Sequence, residues 1–254
     1  MPMKLALFQL PSPAGDLEAA FAAIERGLAT AAGAGAGMAV FPELFLPGYN
    51  VERMEGLPLG GDWELRLADL ARAAGCGLAL GFAEAAEGRL YNSALALGAD
   101  GFRLALYRKV QLYGTREKAL FAPGARLSVF DLGGMKAALL ICYDVEFAPH
   151  VRALAKEGVE LILCPTANMQ PFTHVTRLVV PTQAINHGVT IAYANYCGAE
   201  RDLTYCGGSV IAAPDGAVLA EAGPGEATLI ADISRAPDPA MLQTQLADYR
   251  KAEP

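Results

Sequence analysis

Apolar positions recur along this chain with two periods, one near two residues and one near 3.6. Lys4–Gln9, Met38–Phe41, Gly77–Ala85, Leu90–Leu97 and Arg103–Tyr107 carry short apolar or alternating runs that predict strands. Asp16 stands as an N-cap ahead of Leu17, Phe21, Ile24 and Leu28, which share one helical face. Gly33, Gly35 and Gly37 end that helix; they follow a helix rather than open one, so they do not form a phosphate loop. Trp63–Ala73 has helical spacing, and Glu87-Gly88 and Ala99-Asp100-Gly101 are turn signals. Val129–Leu132 and Lys136–Ile141 predict a hairpin about Gly133-Gly134, followed by a helix over Phe147–Glu157 and a strand over Val159–Leu163. His174–His187 predicts a helix kinked at Pro181. Thr190–Asn195, Gly208–Ala213 and Thr228–Asp232 predict late strands, with Pro214-Asp215-Gly216 as a turn. Alternating strands and helices early and hairpins in the middle give an α/β (α+β) class, and leave the sheet arrangement open. No repeat or linker divides residues 1–254, so one domain is expected. The polar tail from about 235 either packs on a partner subunit or is a solvated end.

Composition narrows the function. The chain has 254 residues, 53% of them hydrophobic, enough for one large core. A formal charge of -7 argues against nucleic acid or an anionic membrane as partner. Five cysteines, an odd number with no Cys-x-x-Cys, do not form a disulfide framework and make a weak case for zinc; a reduced cytoplasm is expected. Met1-Pro2-Met3-Lys4-Leu5 lacks the features of a signal peptide, and no apolar run is long enough to span a bilayer.

Three residues close apolar strands in the same way: Glu43, Lys109 and Cys142. Together they suggest an active site at one edge of a sheet. A thiol at a strand end and helix start sits on a fixed backbone, where helix N–H groups favour the thiolate. Amide cleavage by a covalent nucleophile needs an attacking atom, a proton acceptor, oxyanion donors and an acid for the leaving amine. Cys142 supplies the first, Glu43 the proton transfers, and Lys109 with the Tyr143 backbone N–H the oxyanion donors. A Cys–His pairing is the competitor. His150 lies two helical turns beyond Cys142, pointing away from its thiol, while His174 and His187 stand in no distinctive context and read as structural or surface residues.

These residues fall in three blocks: Phe41-Pro42-Glu43-Leu44-Phe45-Leu46-Pro47-Gly48-Tyr49; Tyr107-Arg108-Lys109-Val110-Gln111-Leu112-Tyr113-Gly114 with Glu117 and Phe121-Ala122-Pro123-Gly124; and Leu140-Ile141-Cys142-Tyr143-Asp144. Over nearly its whole length the chain resembles the nitrilase, or carbon–nitrogen hydrolase, superfamily. The resemblance implies a four-layer α-β-β-α sandwich, a Glu43–Lys109–Cys142 triad, and Glu117 as an auxiliary acid that orients Lys109 and substrate. Tyr143, Asn168 and Tyr49 are candidates for oxyanion or substrate binding. Subunits of this family commonly pair, so a homodimer or higher homo-oligomer is expected. Tyr143-Asp144 stands where true nitrilases usually carry Trp-Glu. With Pro165-Thr166-Ala167-Asn168-Met169 and Tyr193-Ala194-Asn195, it looks most like the R-stereoselective amidase-like branch. The expectation is a small-molecule amidase that needs no cofactor and no metal. Neighbouring alternatives are an N-carbamoyl amino acid or amine hydrolase and, further off, a nitrilase; the non-enzyme alternative is a binding or assembly module. Two positions depart from the family pattern. Phe147-Ala148-Pro149 followed by His150 replaces a frequent Phe-Pro-Glu and is expected to reshape the way into the pocket. Gln111 stands where histidine is frequent.

Overall fold

The computed structural model of the protein describes residues 3–234 and 236–251. Positions 1, 2, 235 and 252–254, which belong to the expected N-terminal run and polar tail, lie outside the described residues.

The first half of the chain runs β1 (Lys4–Gln9), α1 (Leu17–Gly33), β2 (Met38–Val40), β3 (Leu57–Pro58), α2 (Asp62–Ala74), β4 (Gly77–Ala86), β5 (Arg89–Leu97), β6 (Arg103–Arg108) and α3 (Gly114–Leu120). The second half runs β7 (Ser128–Leu132), β8 (Met135–Leu139), α4 (Ala148–Lys156), β9 (Leu161–Pro165), α5 (Val180–His187), β10 (Thr190–Ala194), β11 (Ala199–Glu200), β12 (Leu203–Thr204), β13 (Val210–Ala212), β14 (Val218–Glu221), β15 (Ala227–Asp232) and α6 (Gln245–Asp248). Two main sheets result, ordered β15-β1-β2-β4-β5-β6 and β14-β13-β10-β9-β8-β7; the first is built by the first half of the chain with β15 returning from the second half to pair with β1, and the second by β7 to β10, β13 and β14. Parallel pairs β1/β2, β2/β4, β8/β9 and β9/β10 make the centres, since helices carry the chain between them. Hairpins make the flanks.

Local chemistry accounts for the junctions. The Asp16 carboxylate accepts from the Ala19 N–H at 2.9 Å and starts α1. Gly133 and Gly134 have φ of +64° and +92°, the signs a two-residue primed turn requires between β7 and β8. The helix expected over His174–His187 forms in two parts. A π-helical turn over Val175–Val179 leads into α5, where Pro181 sits in the first turn and its missing N–H breaks no bond.

The first sheet alternates along most of its strands. Ala6, Phe8, Ala39, Leu78, Leu80 and Phe82 face Phe21, Ile24, Leu28 and Leu67 of α1 and α2. Leu5, Leu7, Met38, Val40, Ala79, Ala94, Ala96 and Ala105 face the second sheet, whose inner strands β9, β10 and β13 are buried throughout, with α4 and α5 packed on its other face. The result is a four-layer sandwich, helices–sheet–sheet–helices, and much of its central filling is alanine. The described tail lies on its own chain: Arg152 donates to the Leu246 carbonyl at 3.4 Å and stacks on Tyr249. No helix among the described residues is long and apolar enough to cross a membrane.

Candidate active site

The structure brings Glu43, Lys109, Glu117 and Cys142 together, although not at the edge of one sheet. Glu43 follows β2 and Lys109 follows β6, both in the first sheet, whereas Cys142 follows β8 in the second. The site therefore lies where the facing sheets end, and each contributes part of it.

Backbone approach fixes each arm. The turn carrying Glu43 packs against Gly81 of β4, where a Cβ would stand 2.2 Å from the Leu44 nitrogen; only glycine fits. Behind Lys109, Gly124 donates to the lysine carbonyl at 2.7 Å, and a Cβ there would stand 2.1 Å from the Arg108 carbonyl oxygen. Cys142 opens a tight turn over Cys142–Glu146 at φ +44°, a left-handed conformation that costs a non-glycine residue ~1–3 kcal/mol. Asp144 holds that turn. Its buried carboxylate accepts from the Ile141 N–H at 3.2 Å, the Gln111 N–H at 2.7 Å and the Tyr107 hydroxyl at 2.8 Å, tying the cysteine turn to the lysine arm. The two departures from the family pattern also meet, with Gln111 Nε2 3.0 Å from His150 Nε2.

The charged groups form one buried chain. Lys109 Nζ donates to Glu43 Oε1 at 2.6 Å and to Glu117 Oε1 at 2.9 Å. Glu117 also accepts from the Tyr49 hydroxyl at 2.7 Å and the Tyr113 N–H at 2.9 Å. Glu43 Oε1 accepts a second bond from Asn92 Nδ2 at 2.7 Å, while its buried Oε2 makes no hydrogen bond among the described residues. Burial pushes the Glu43 carboxyl up to about 7, helped by the Glu117 charge and opposed by Lys109 and Asn92. Burial alone would lower the Lys109 ammonium, but Glu117 and Glu43 outweigh it and hold it well above the ordinary lysine range.

The thiol departs from expectation. Burial and the Glu43 carboxylate push Cys142 up, and Lys109, the Ala167 amide and the Thr166 hydroxyl offset this only in part. The turn it opens spans five residues, too short for its N–H groups to outweigh the loss of water. The net push on the thiol is towards its protonated form.

A cavity of about 230 Å³ opens over Cys142, walled by the rings of Tyr49, Tyr113, Tyr143 and Phe172 and by Asn168 and Glu146. It lies below the roughly 300–1,000 Å³ of pockets for drug-sized ligands, which suits a small molecule. Among the expected binding residues, Tyr49 faces the cavity with its hydroxyl committed to Glu117. Asn168 lines it while bridging the Phe172 carbonyl at 3.0 Å and Asn195. The Tyr143 N–H lies in the first turn, ahead of the first closed bond from the Asp144 N–H to the Ile141 carbonyl. His174, read from the sequence as structural or surface, lines the cavity rim, whereas His150 contacts Gln111 and His187 its own helix. Sequence reading missed Asn92 and the role of Asp144. Their signal was polar residues set in or directly after apolar strands. Among the described residues no group of three or more His, Cys, Asp or Glu is placed to hold a metal.

Known proteins resemble this chain over most of its length. Residues 4–237 match the family described as carbon-nitrogen hydrolase. An (R)-stereoselective amidase from Pseudomonas sp. is 34% identical over 235 residues, 91% of this chain and 85% of that protein. A nitrilase from Pyrococcus abyssi is 35% identical over 227 residues, 87% and 85% of the two. An amidase from Nesterenkonia sp. superposes with a TM-score of 0.86 at 35% identity, covering 98% of this chain and 93% of that one. A variant of that amidase carries the acetamide moiety of fluoroacetamide covalently on its active-site cysteine.

Proposed function

The chain belongs to the carbon–nitrogen hydrolase family, and from that premise we propose that it hydrolyses the C–N bond of small carboxamides through a thioester on Cys142. The observation that carries this reading is the buried chain Glu43–Lys109–Glu117, closed by bonds of 2.6 and 2.9 Å, beside a thiol on the cavity wall.

The steps follow from the acid–base state of the groups. Glu43 Oε2, which has no hydrogen-bond partner among the described residues, takes the Cys142 proton as sulfur attacks the amide carbonyl. Lys109 Nζ and the Tyr143 N–H stabilise the oxyanion. As the C–N bond breaks, Glu43 returns the proton to the leaving nitrogen and ammonia or an amine departs. Water then gives a proton to Glu43 and attacks the thioester; the tetrahedral adduct collapses, releasing the carboxylate, and sulfur recovers its proton. Glu117 holds Lys109 and Tyr49 in place. The decisive experiment is a screen of primary amides, ureido acids and nitriles with intact-mass analysis of the protein. Ammonia release from amides with acylation of Cys142 is expected. Carbon dioxide released with the ammonia would point to carbamoyl substrates instead, and the absence of any acylated protein would count against the thioester.

The pH profile tests the base. Glu43 must be ionised to accept the proton, so kcat/KM rises with pH through a midpoint near 7, where burial places this carboxyl. Asn92 favours its charged form. Asn92→Ala therefore moves the acid limb to higher pH; an unmoved limb would separate the limb from Glu43.

A further inference from the structure

We propose that Glu146 selects amides that carry a protonated amine, making small amino carboxamides the substrate class; this rests on the amidase reading above. Glu146 lines the same cavity as Cys142, at the far end of the turn that the cysteine opens. Its backbone carbonyl is held by Gln183 Nε2 at 3.3 Å, whereas its carboxylate forms no hydrogen bond or ion pair with a described residue. Glu146 is half-buried on that cavity wall, and its charge adds to the burial that raises Tyr113 and Tyr193. The rings of Tyr113, Tyr143 and Phe172 stand around the same space, Tyr113 at 5.4 and 6.0 Å from the other two.

An unpaired carboxylate among aromatic rings complements an ammonium, through ion pairing and through the ring faces. It repels a carboxylate. Among the described residues that line the cavity there is no Lys or Arg to reverse this, and the Lys109 ammonium below is engaged by Glu43 and Glu117. Burial raises the Glu146 carboxyl; His174 at the exposed rim and Lys109 oppose that, and His174 is the one cationic candidate near it on the cavity wall among the described residues. With about 230 Å³ available, the amine sits only a few bonds from the scissile carbonyl.

The test compares kcat/KM at pH 8 for three amides of similar length: β-alaninamide, its neutral isostere butyramide, and succinamate. The wild-type protein is expected to prefer β-alaninamide over butyramide by about tenfold or more and to disfavour succinamate. Glu146→Gln collapses the β-alaninamide-to-butyramide ratio about tenfold, and Glu146→Lys shifts preference towards succinamate. If butyramide is hydrolysed but β-alaninamide is not preferred, or if Glu146→Gln lowers all three in proportion, the inference falls and the amidase reading stands. If the wild-type protein hydrolyses none of the three, both fall. The wild-type ratio needs no variant, so poor folding of either substitution leaves the proposal open to refutation.

Discussion

Cys142→Ala is expected to lower amide turnover by about 10⁴-fold or more while leaving the thermal midpoint nearly unchanged. The sulfur is the one atom on the cavity wall placed to bond the substrate carbonyl carbon, and no other cysteine lines that cavity. Residual activity would come from the oxyanion donors alone, which cannot hold an acyl group. The fold should tolerate the change. Alanine adopts φ +44° as readily as cysteine does, the missing sulfur only enlarges the cavity it already faces, and the Asp144 bonds that shape the turn run to backbone and tyrosine groups elsewhere. Ammonia release and a thermal melt on the same preparation check both halves. Turnover within tenfold of wild type would remove Cys142 from the reaction.

Lys109→Met should be the most damaging of the conservative changes to stability. The ammonium is fully buried between two buried carboxylates. Removing it strands Glu43 and Glu117 together, at a cost of about 3–5 kcal/mol. For a chain of this length that lowers the midpoint by roughly 6–20 °C. The loss must depend on pH, and its sign is fixed. Glu43 already titrates at about 7 in the folded protein against an ordinary value of 4.5, so its protonated form favours folding. That stability is fully present below 4.5 and is lost as pH rises through 7. Without Lys109 the shift grows, and the variant weakens more steeply than wild type as pH rises. Glu43→Gln combined with Lys109→Met removes one stranded charge and recovers part of the midpoint without recovering turnover. A single variant as stable as wild type at pH 8 would contradict the buried-chain description.

The sequence showed most of the framework because its strands and helices bury one face each. Phe21, Ile24 and Leu28 lie on the covered face of α1, and β4, β5 and β6 form within a residue of the expected runs. Short elements without a repeating pattern were not legible: α3 spans seven residues, and β14 has no fully buried side chain. At the candidate site, Glu43, Lys109, Glu117 and Cys142 were readable through their blocks. Their division between two sheets was not, since nothing local tells which strand belongs to which sheet. Nor was the upward push on the Cys142 thiol, which comes from burial in the assembled fold and from Glu43, a residue remote in sequence.

The alanines between the sheets take on a further meaning from this. Ala79, Ala94, Ala96 and Ala105 are shims that set how far apart the two leaves stand, and therefore the reach between sulfur on one leaf and ammonium on the other. A bulkier filler at any of them would act as a wedge, widening that gap and detuning the chemistry before it loosened the protein.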